Sequence, residues 1–299
     1  MRATMATSTG RVRDKTKPST TPAMRQYHEI KREAPDAILF FRMGDFYEMF
    51  YDDALTASRA LELTLTSRQK DPSGSAIPMC GIPYHAADTY VGRLIRRGFK
   101  VAICDQVEDA KGAKGIVKRK IVRVVTPSTY LHQGYLEAKE PSYLMAVTPG
   151  KEAAGAALAD LSTGDFVAFD FQGVDRWQKI AETLSTYRPR ELLYPEGNPL
   201  PEEIFASLGL DGPRPVTTQR ENWRFESEGS RSLLLRQFGT RSLEGFGLED
   251  KPLAVGAAGA ALQYLEETQR GDLAHISSIR CLERPTTSSS IPSPREISS

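Results

Sequence analysis

Phe46 and Glu48 stand two residues apart in the stretch FFRMGDFYEMF, residues 40–50. With Asp45 read as a helix N-cap, Glu48 falls at the third helical position, and the two acids resemble a capping box. At about 100° per residue, Phe46 then shares the buried face of that helix with Phe50, Ala57 and Leu61. The same helix start permits another role. A ring in the first turn, beyond the end of a strand, can project past the helix where free N–H groups and the dipole favour phosphate. The residues alone leave both roles open: core and cap, or contact with a partner.

Other candidates follow along the chain. Ten Lys and Arg residues lie between Arg93 and Arg123, among them Lys100, Lys111, Lys114, Lys118, Arg119 and Lys120. Such a run meets a polyanion or forms a solvated face, and the intervening Asp105, Glu108 and Asp109 favour the second reading for part of it. Pro78 and Met79, in the Pro/Gly-rich loop IPMCGIPYHA (77–86), are small apolar groups of the kind that wedge between base steps; packing of the loop is the alternative. Asp160, Asp165 and Asp170 could serve as metal-binding carboxylates of a nuclease. The turn between Asp160 and Asp170 breaks their shared phase and no Glu anchors them, so they read as solvated turn acids. His85 has no second ligand nearby, and Cys80, Cys104 and Cys281 are odd in number and far apart, which argues against a zinc site or a disulfide framework. KGAKGIVKRK has the glycines and lysines of a phosphate loop at the wrong spacing, so no ATP site is expected.

The elements that must position these residues read as follows. Thr21-Pro22 opens a short helix that ends before Pro35, AILFF (37–41) is a strand, and Gly44-Asp45 marks a break before a helix running to about Leu63. Residues 77–86 form a loop, 87–97 a helix ending at Gly98, KVAIC (100–104) a strand, and KRKIVRVVTPSTY (118–130) a half-exposed strand. A second run begins after Pro141: YLMAVT, a hairpin turning through Ser162-Thr163-Gly164-Asp165, a helix over about 175–187, and ELLYP. The Ala-rich helix at 254–270 is expected to pack closely and to open a third, helical domain.

Length and composition agree with this division. The chain has 299 residues, 40% hydrophobic and 26% charged, with no apolar run near the roughly 20 residues a bilayer-spanning helix needs. The net charge of +1 conceals an asymmetry: residues 1–130 carry 22 Lys/Arg against 14 Asp/Glu, and residues 131–299 carry 17 against 24. A basic module joined to an acidic one fits a part that meets polyanions and a part that does not. The first twenty residues lack the apolar stretch of a signal peptide and read as a disordered basic arm, which points to the cytoplasm. The last sixteen are rich in Ser, Thr and Pro and read as a disordered tail.

Taken in order, TPAMRQYHEIKREAPDAILFFRMGDFYEMFYDDA, IPMCGIPYHA, VAICDQVEDA and KRKIVRVVTPST resemble the N-terminal mismatch-recognition domain of the MutS family of DNA mismatch repair proteins. LADLSTGDF, ELLYP, LLLRQFGTRSLEGFG and AAGAALQYLEETQR resemble that family's connector domain and the passage into its helical core. The resemblance implies an α/β fold. It divides the chain into an arm (1–20), a mismatch-recognition domain (21–131), an RNase H-like connector without nuclease chemistry (132–252), the start of a helical core (253–283) and an aberrant tail (284–299). It further implies that Phe46 stacks on a mispaired or unpaired base from the minor groove while Glu48 hydrogen-bonds that base. Arg68, Arg119 and Lys120 are implied as DNA-backbone contacts, and Pro78 and Met79 as wedge or groove contacts. The implied partners are double-stranded DNA with mismatches or small loops, and MutL through the connector. ATP and Mg²⁺ are expected only for a full-length member. The chain is expected to be a monomeric, nucleoid-associated, non-catalytic fragment, cut short before the clamp and ATPase by a frameshift or early stop. The alternatives are a nonspecific nucleic-acid or interaction module, a nonfunctional remnant, and a metal-dependent nuclease.

Overall fold

The structure, a computed structural model, describes residues 21–67, 70, 74–108, 116–130, 142–208, 214–270 and 273–283. The arm at 1–20, the tail at 284–299 and Arg68 lie outside them. The first unit comprises α1 (Pro22–Lys31), β1 (Ala37–Met43), β2 (Phe46–Phe50), α2 (Tyr51–Leu61), β3 (Met79–Pro83), α3 (Ala87–Arg96), β4 (Lys100–Gln106) and β5 (Arg119–Val125). As expected, Thr21 caps α1: its Oγ1 accepts the Met24 N–H at 3.3 Å, with Pro22 at a position where no N–H is needed. The strands form one mixed sheet in the order β3-β2-β1-β4-β5, with β1 parallel to β4 and the other neighbours antiparallel. Alternation along β1 splits its side chains between two cores. Leu39 and Phe41 meet Met24, Tyr27 and Ile30 of α1 on one face, while Ile38 and Phe40 meet Ala54, Ala57, Leu94 and Ile95 of α2 and α3 on the other.

Two expectations are corrected here. The segment after Gly44-Asp45 is a strand for five residues before the helix begins at Tyr51, and the run 77–86 contains β3, the edge strand that pairs with it. Prolines 78 and 83 made that run look like a loop. They lie just before the strand and at its last residue, and the strand sits at the edge of the sheet, where missing donors are tolerated.

The second unit comprises β6 (Tyr143–Pro149), β7 (Ala153–Asp160), β8 (Phe166–Gln172), α4 (Arg176–Tyr187), β9 (Glu191–Pro195), β10 (Val216–Arg220), α5 (Ser227–Phe238), α6 (Pro252–Gln269) and β11 (Arg280–Leu282). Its sheet runs β10-β9-β6-β7-β8-β11, covered by α4 on one face and by α6, backed by α5, on the other. The expected hairpin joins β7 to β8. The Ala-rich α6 packs across this sheet and belongs to the second core. It comes close because its contacts are glycines: a Cβ at Gly155 of β7 would lie 2.1 Å from Leu253 backbone atoms, and one at Gly259 of α6 would lie 2.2 Å from Ser230 of α5. The fold is therefore α/β with two mixed sheets. Among the described residues no helix is long and apolar enough to cross a membrane.

A buried polar joint connects the units. Glu191, at the start of β9, is wholly buried and accepts hydrogen bonds from Ser128 Oγ at 2.7 Å and the Tyr264 hydroxyl at 2.5 Å. Lys100, at the start of β4, places its Nζ 3.6 Å from Glu191, 2.9 Å from Asp36 and 2.9 Å from Thr218 Oγ1. Burial, then the adjacent Glu191, holds the Tyr264 pKa well above that of an ordinary tyrosine, so its hydroxyl stays a donor. Arg270, just past α6, donates to the Ile121 carbonyl of β5 at 2.5 Å.

Candidate nucleic-acid interface

Met43 pairs with Phe46, which leaves Gly44-Asp45 as a two-residue hairpin turn. Gly44 has φ +58°, a conformation that glycine adopts without the clash a Cβ would make. The β2 residues then alternate. Tyr47 and Met49 point into the core beneath α2 and α3, while Phe46, Glu48 and Phe50 point to the other face. Phe50 is buried there, Glu48 is half-buried, and Phe46, next to the turn, is 48% exposed. This corrects the helical placement. On a helix Phe46 and Glu48 would diverge by about 200°; on the strand they stand side by side, about 7 Å apart along the chain. Asp45 is not the cap of α2, which begins behind Phe50 with no side-chain cap but with Asp52 and Asp53 in its first turn. A Gly-Asp pair between two aromatic runs was the available signal for a hairpin.

The same end of the sheet gathers more of the predicted residues. Because β4 runs parallel to β1, and Arg119 pairs with Gln106, the end of β4 and the start of β5 lie beside the hairpin tip. Lys118 and Lys120 are exposed there, as are the apolar Val107 and Ile116. The segment 109–115, with Lys111 and Lys114, lies outside the described residues. Arg119 points inward. It is 8% exposed and donates to the Arg42 carbonyl, Gln26 Oε1 and the Val117 carbonyl at 2.6–2.9 Å, with its guanidinium 5.0 Å from the Phe41 ring centre. Desolvation lowers its pKa. Arg119 thus holds the end of β1 in place, and of the two predicted contacts in β5, Lys120 is the one in solvent.

The rest of the basic run is elsewhere. The last turn of α3, with Arg96 and Arg97 exposed, leads into the start of β4, at the end of the sheet opposite the hairpin. Lys100 is committed to the joint between the units. Met79 is 5% exposed and packs in the α1 core, exchanging backbone hydrogen bonds with Thr66 at 2.7 and 2.8 Å; the Pro78 carbonyl accepts the Tyr51 N–H. The structure therefore separates Pro78 and Met79 from Phe46 by the length of β2, since Met79 pairs with Phe50.

In the second unit, Asp160 is a turn acid, but a buried one: it accepts from Ser162 N, Ser162 Oγ and Thr163 Oγ1 at 2.8–3.1 Å and so holds the hairpin turn. Asp170 pairs across to Gly155, toward the other end of the strands. Among the described residues no group of three or more His, Cys, Asp or Glu could hold a metal ion. Burial pushes the thiols of Cys80 and Cys104 up to about 11 and about 12, so both remain protonated core groups.

Residues 21–134 match the protein family described as MutS domain I, and residues 142–277 match MutS domain II. The chain is 46% identical over 266 residues to the DNA mismatch repair protein MutS of Myxococcus xanthus, covering 89% of this chain and 29% of that protein. It is 47% identical over 264 residues to MutS of Desulfatibacillum aliphaticivorans (88% and 29%), and 42% identical over 274 residues to MutS of Methanosarcina barkeri (87% and 30%). The chain thus spans less than a third of the length of these relatives.

Proposed function

The chain belongs to the MutS family, and we propose that its first unit recognises mispaired or unpaired bases in double-stranded DNA for mismatch repair. In this reading Phe46 stacks on the displaced base from the minor groove and Glu48 accepts, or shares a proton in, a hydrogen bond at that base. One observation carries it: an exposed ring and a half-buried carboxylate share one face of β2 at a hairpin tip. A core phenylalanine has no reason to sit half in solvent with buried strands beside it.

The physics favours mismatched DNA. A mispaired step is easier to unstack and kink than a paired one, so an inserted ring gains more there, and deformability is what is read. Glu48 opposes the field of the phosphates and lowers affinity for undistorted duplex unless a displaced base offers it a hydrogen bond. Lys118 and Lys120, at the same end of the sheet, supply phosphate contacts that carry no sequence information. The second unit serves as a connector that passes the bound state onward, with MutL as a partner, and the buried joint at Glu191 is the support for rigid coupling. In this reading the chemistry of residues 21–277 is recognition and relay.

The test is a titration of a G·T or one-base-loop duplex and of its matched duplex at two salt concentrations. Phe46→Ala should abolish the preference for the mismatch and leave the salt-sensitive matched binding nearly unchanged. Equal loss on both duplexes, or unfolding of the variant, returns Phe46 to a structural role. Absence of any mismatch preference in the unaltered chain supports a nonspecific module instead, and Mg²⁺-dependent cleavage of the duplex supports the nuclease.

A further inference from the structure

If Phe46 reads bases by insertion, as proposed above, its hairpin must hold one pose against a deforming duplex. We infer that Arg42 and Tyr84 form a clamp on the opposite face of the sheet that fixes this pose, which makes them positioning residues for mismatch preference. The turn beneath the ring exposes two carbonyls, and both are tied. Gly44 O accepts from Arg42 Nε at 2.6 Å, and Asp45 O accepts the Tyr84 N–H at 2.9 Å. The two tethers are joined to each other: the Arg42 guanidinium lies 3.7 Å from the centre of the Tyr84 ring. That is well inside the distance at which a cation over an aromatic face is attracted.

The far side of the guanidinium is held as well. Arg42 Nη1 is 3.7 Å from Asp105 Oδ1, Asp105 Oδ2 accepts the Tyr47 hydroxyl at 2.8 Å, and the Tyr47 ring centre lies 5.5 Å from the guanidinium carbon. Burial, then the bond to Asp105, pushes the Tyr47 hydroxyl up to about 12, so it remains a donor in this set. Register decides what the clamp can do. Arg42 pairs with Tyr47, whereas Met43 pairs with Phe46 and Phe41 with Glu48, so the clamp and the ring occupy opposite faces of the hairpin. The Arg42 side chain is only 18% exposed, its Nε is held by Gly44 O and its Nη1 faces Asp105, which makes it a poor phosphate contact and a good brace. A planar fork that can stack and donate at once is a property of arginine that lysine lacks. A glycine turn left free would have to be ordered on each insertion, and that cost would fall on the mismatch complex alone.

The test uses the whole 299-residue chain in the paired titration described above, with Phe46→Ala as the benchmark. Tyr84→Ala should reduce the ratio of mismatched to matched affinity by roughly three- to tenfold and leave matched affinity within about twofold. Tyr84→Phe keeps the ring and should restore the ratio, while Arg42→Lys should behave like Tyr84→Ala. A Tyr84→Ala chain with the unaltered ratio, where Phe46→Ala loses preference, overturns the clamp and leaves the reading of Phe46 standing. Equal weakening on both duplexes also overturns it, because Tyr84 would then be a DNA contact. If Tyr84→Ala does not fold, Arg42→Lys decides alone, and an unchanged ratio refutes the clamp. If Phe46→Ala retains the preference, the reading of Phe46 fails and the clamp falls with it.

Discussion

Replacing Glu191 by glutamine tests whether the two units behave as one body. Glu191 has no exposed surface, and its partners include Ser128 Oγ at 2.7 Å, the Ser128 N–H at 3.5 Å, the Tyr264 hydroxyl at 2.5 Å and Lys100 Nζ at 3.6 Å. Glutamine preserves the shape but turns one acceptor into an NH₂ that must face a donor. The Ser128 hydroxyl can rotate toward Thr126 Oγ1, 3.3 Å away, so the variant amide should settle with its oxygen on Tyr264 and its NH₂ toward Ser128 Oγ, which leaves the Ser128 N–H, a weak donor to Glu191 at 3.5 Å, without that acceptor. A hydrogen bond to a charged group contributes about 1.5–3 kcal/mol. Lys100 also loses one of its two carboxylates, yet it keeps Asp36 and Thr218, each at 2.9 Å. The cost is therefore below the roughly 3–5 kcal/mol of a buried pair left with an orphan charge, and about 2–3 kcal/mol is expected. At about 2–4 °C per kcal/mol for a chain of this size, the midpoint should fall by roughly 4–12 °C.

Both tryptophans, Trp177 and Trp223, lie in the second unit, so fluorescence reports that unit while circular dichroism reports both. The unaltered chain should show coincident urea transitions by the two probes, and Glu191→Gln should separate them. A double-mutant cycle with Tyr264→Phe should give a coupling of about 1–2 kcal/mol. A Glu191→Gln chain within about 0.5 kcal/mol of the original, with coincident transitions and no coupling to Tyr264, would falsify the view that this joint binds the units together.

Gly259→Ala should destabilise the second unit by about 1–3 kcal/mol despite alanine's higher helix propensity, because the added Cβ meets Ser230 at 2.2 Å. Thermal melts check this, and Ser230→Gly in the same chain should recover only part of the loss, since the backbone Cα at position 230 still lies 2.7 Å from the added Cβ and glycine weakens α5; a neutral Gly259→Ala would mean that α5 and α6 are not in contact there. Glu221 should titrate far below its ordinary value of 4.5, since the hydrogen bond from Arg224 brings it to about 2. A carboxylate with a depressed folded-state value adds stability that is complete above about 4.5 and is lost as pH falls toward about 2. Its carboxyl NMR shift should follow that window, and a midpoint near 4.5 would show the Arg224 contact to be absent in solution.

Most elements were legible because their signals are local. Thr21-Pro22, the compact apolar run of β1, the turn at Ser162–Asp165 and the small residues of α6 each act within a few positions. The failures share a different cause. Phe46, Phe50, Ala57 and Leu61 satisfy a helical face, yet FYEMF also satisfies a strand, and periodicity alone cannot arbitrate between them. What decides is pairing, with β1 across the Gly44-Asp45 turn and with β3, which lies distant in a Pro/Gly-rich run. Charge was misread for the same reason. Lys100 and Arg119 counted as members of a basic surface, but Lys100 is claimed by Glu191 and Asp36 and Arg119 by the end of β1, partners that no window of sequence contains.

The correction at β2 also bears on why the two residues are spaced as they are. A spacing of two suits a helix cap only if Glu48 turns back on its own backbone, and it then carries Glu48 away from Phe46. On a strand the same spacing aims both side chains in one direction, with a buried tyrosine between them as an anchor. Tyr47 takes no part in that face; it ties the hairpin to the core and, through Asp105, to Arg42. A single residue inserted or deleted between Phe46 and Glu48 would therefore do more than lengthen the motif. It would send the ring and the carboxylate to opposite faces of the sheet and pull the anchor out of the core, so the proposed recognition and the stability would fail together.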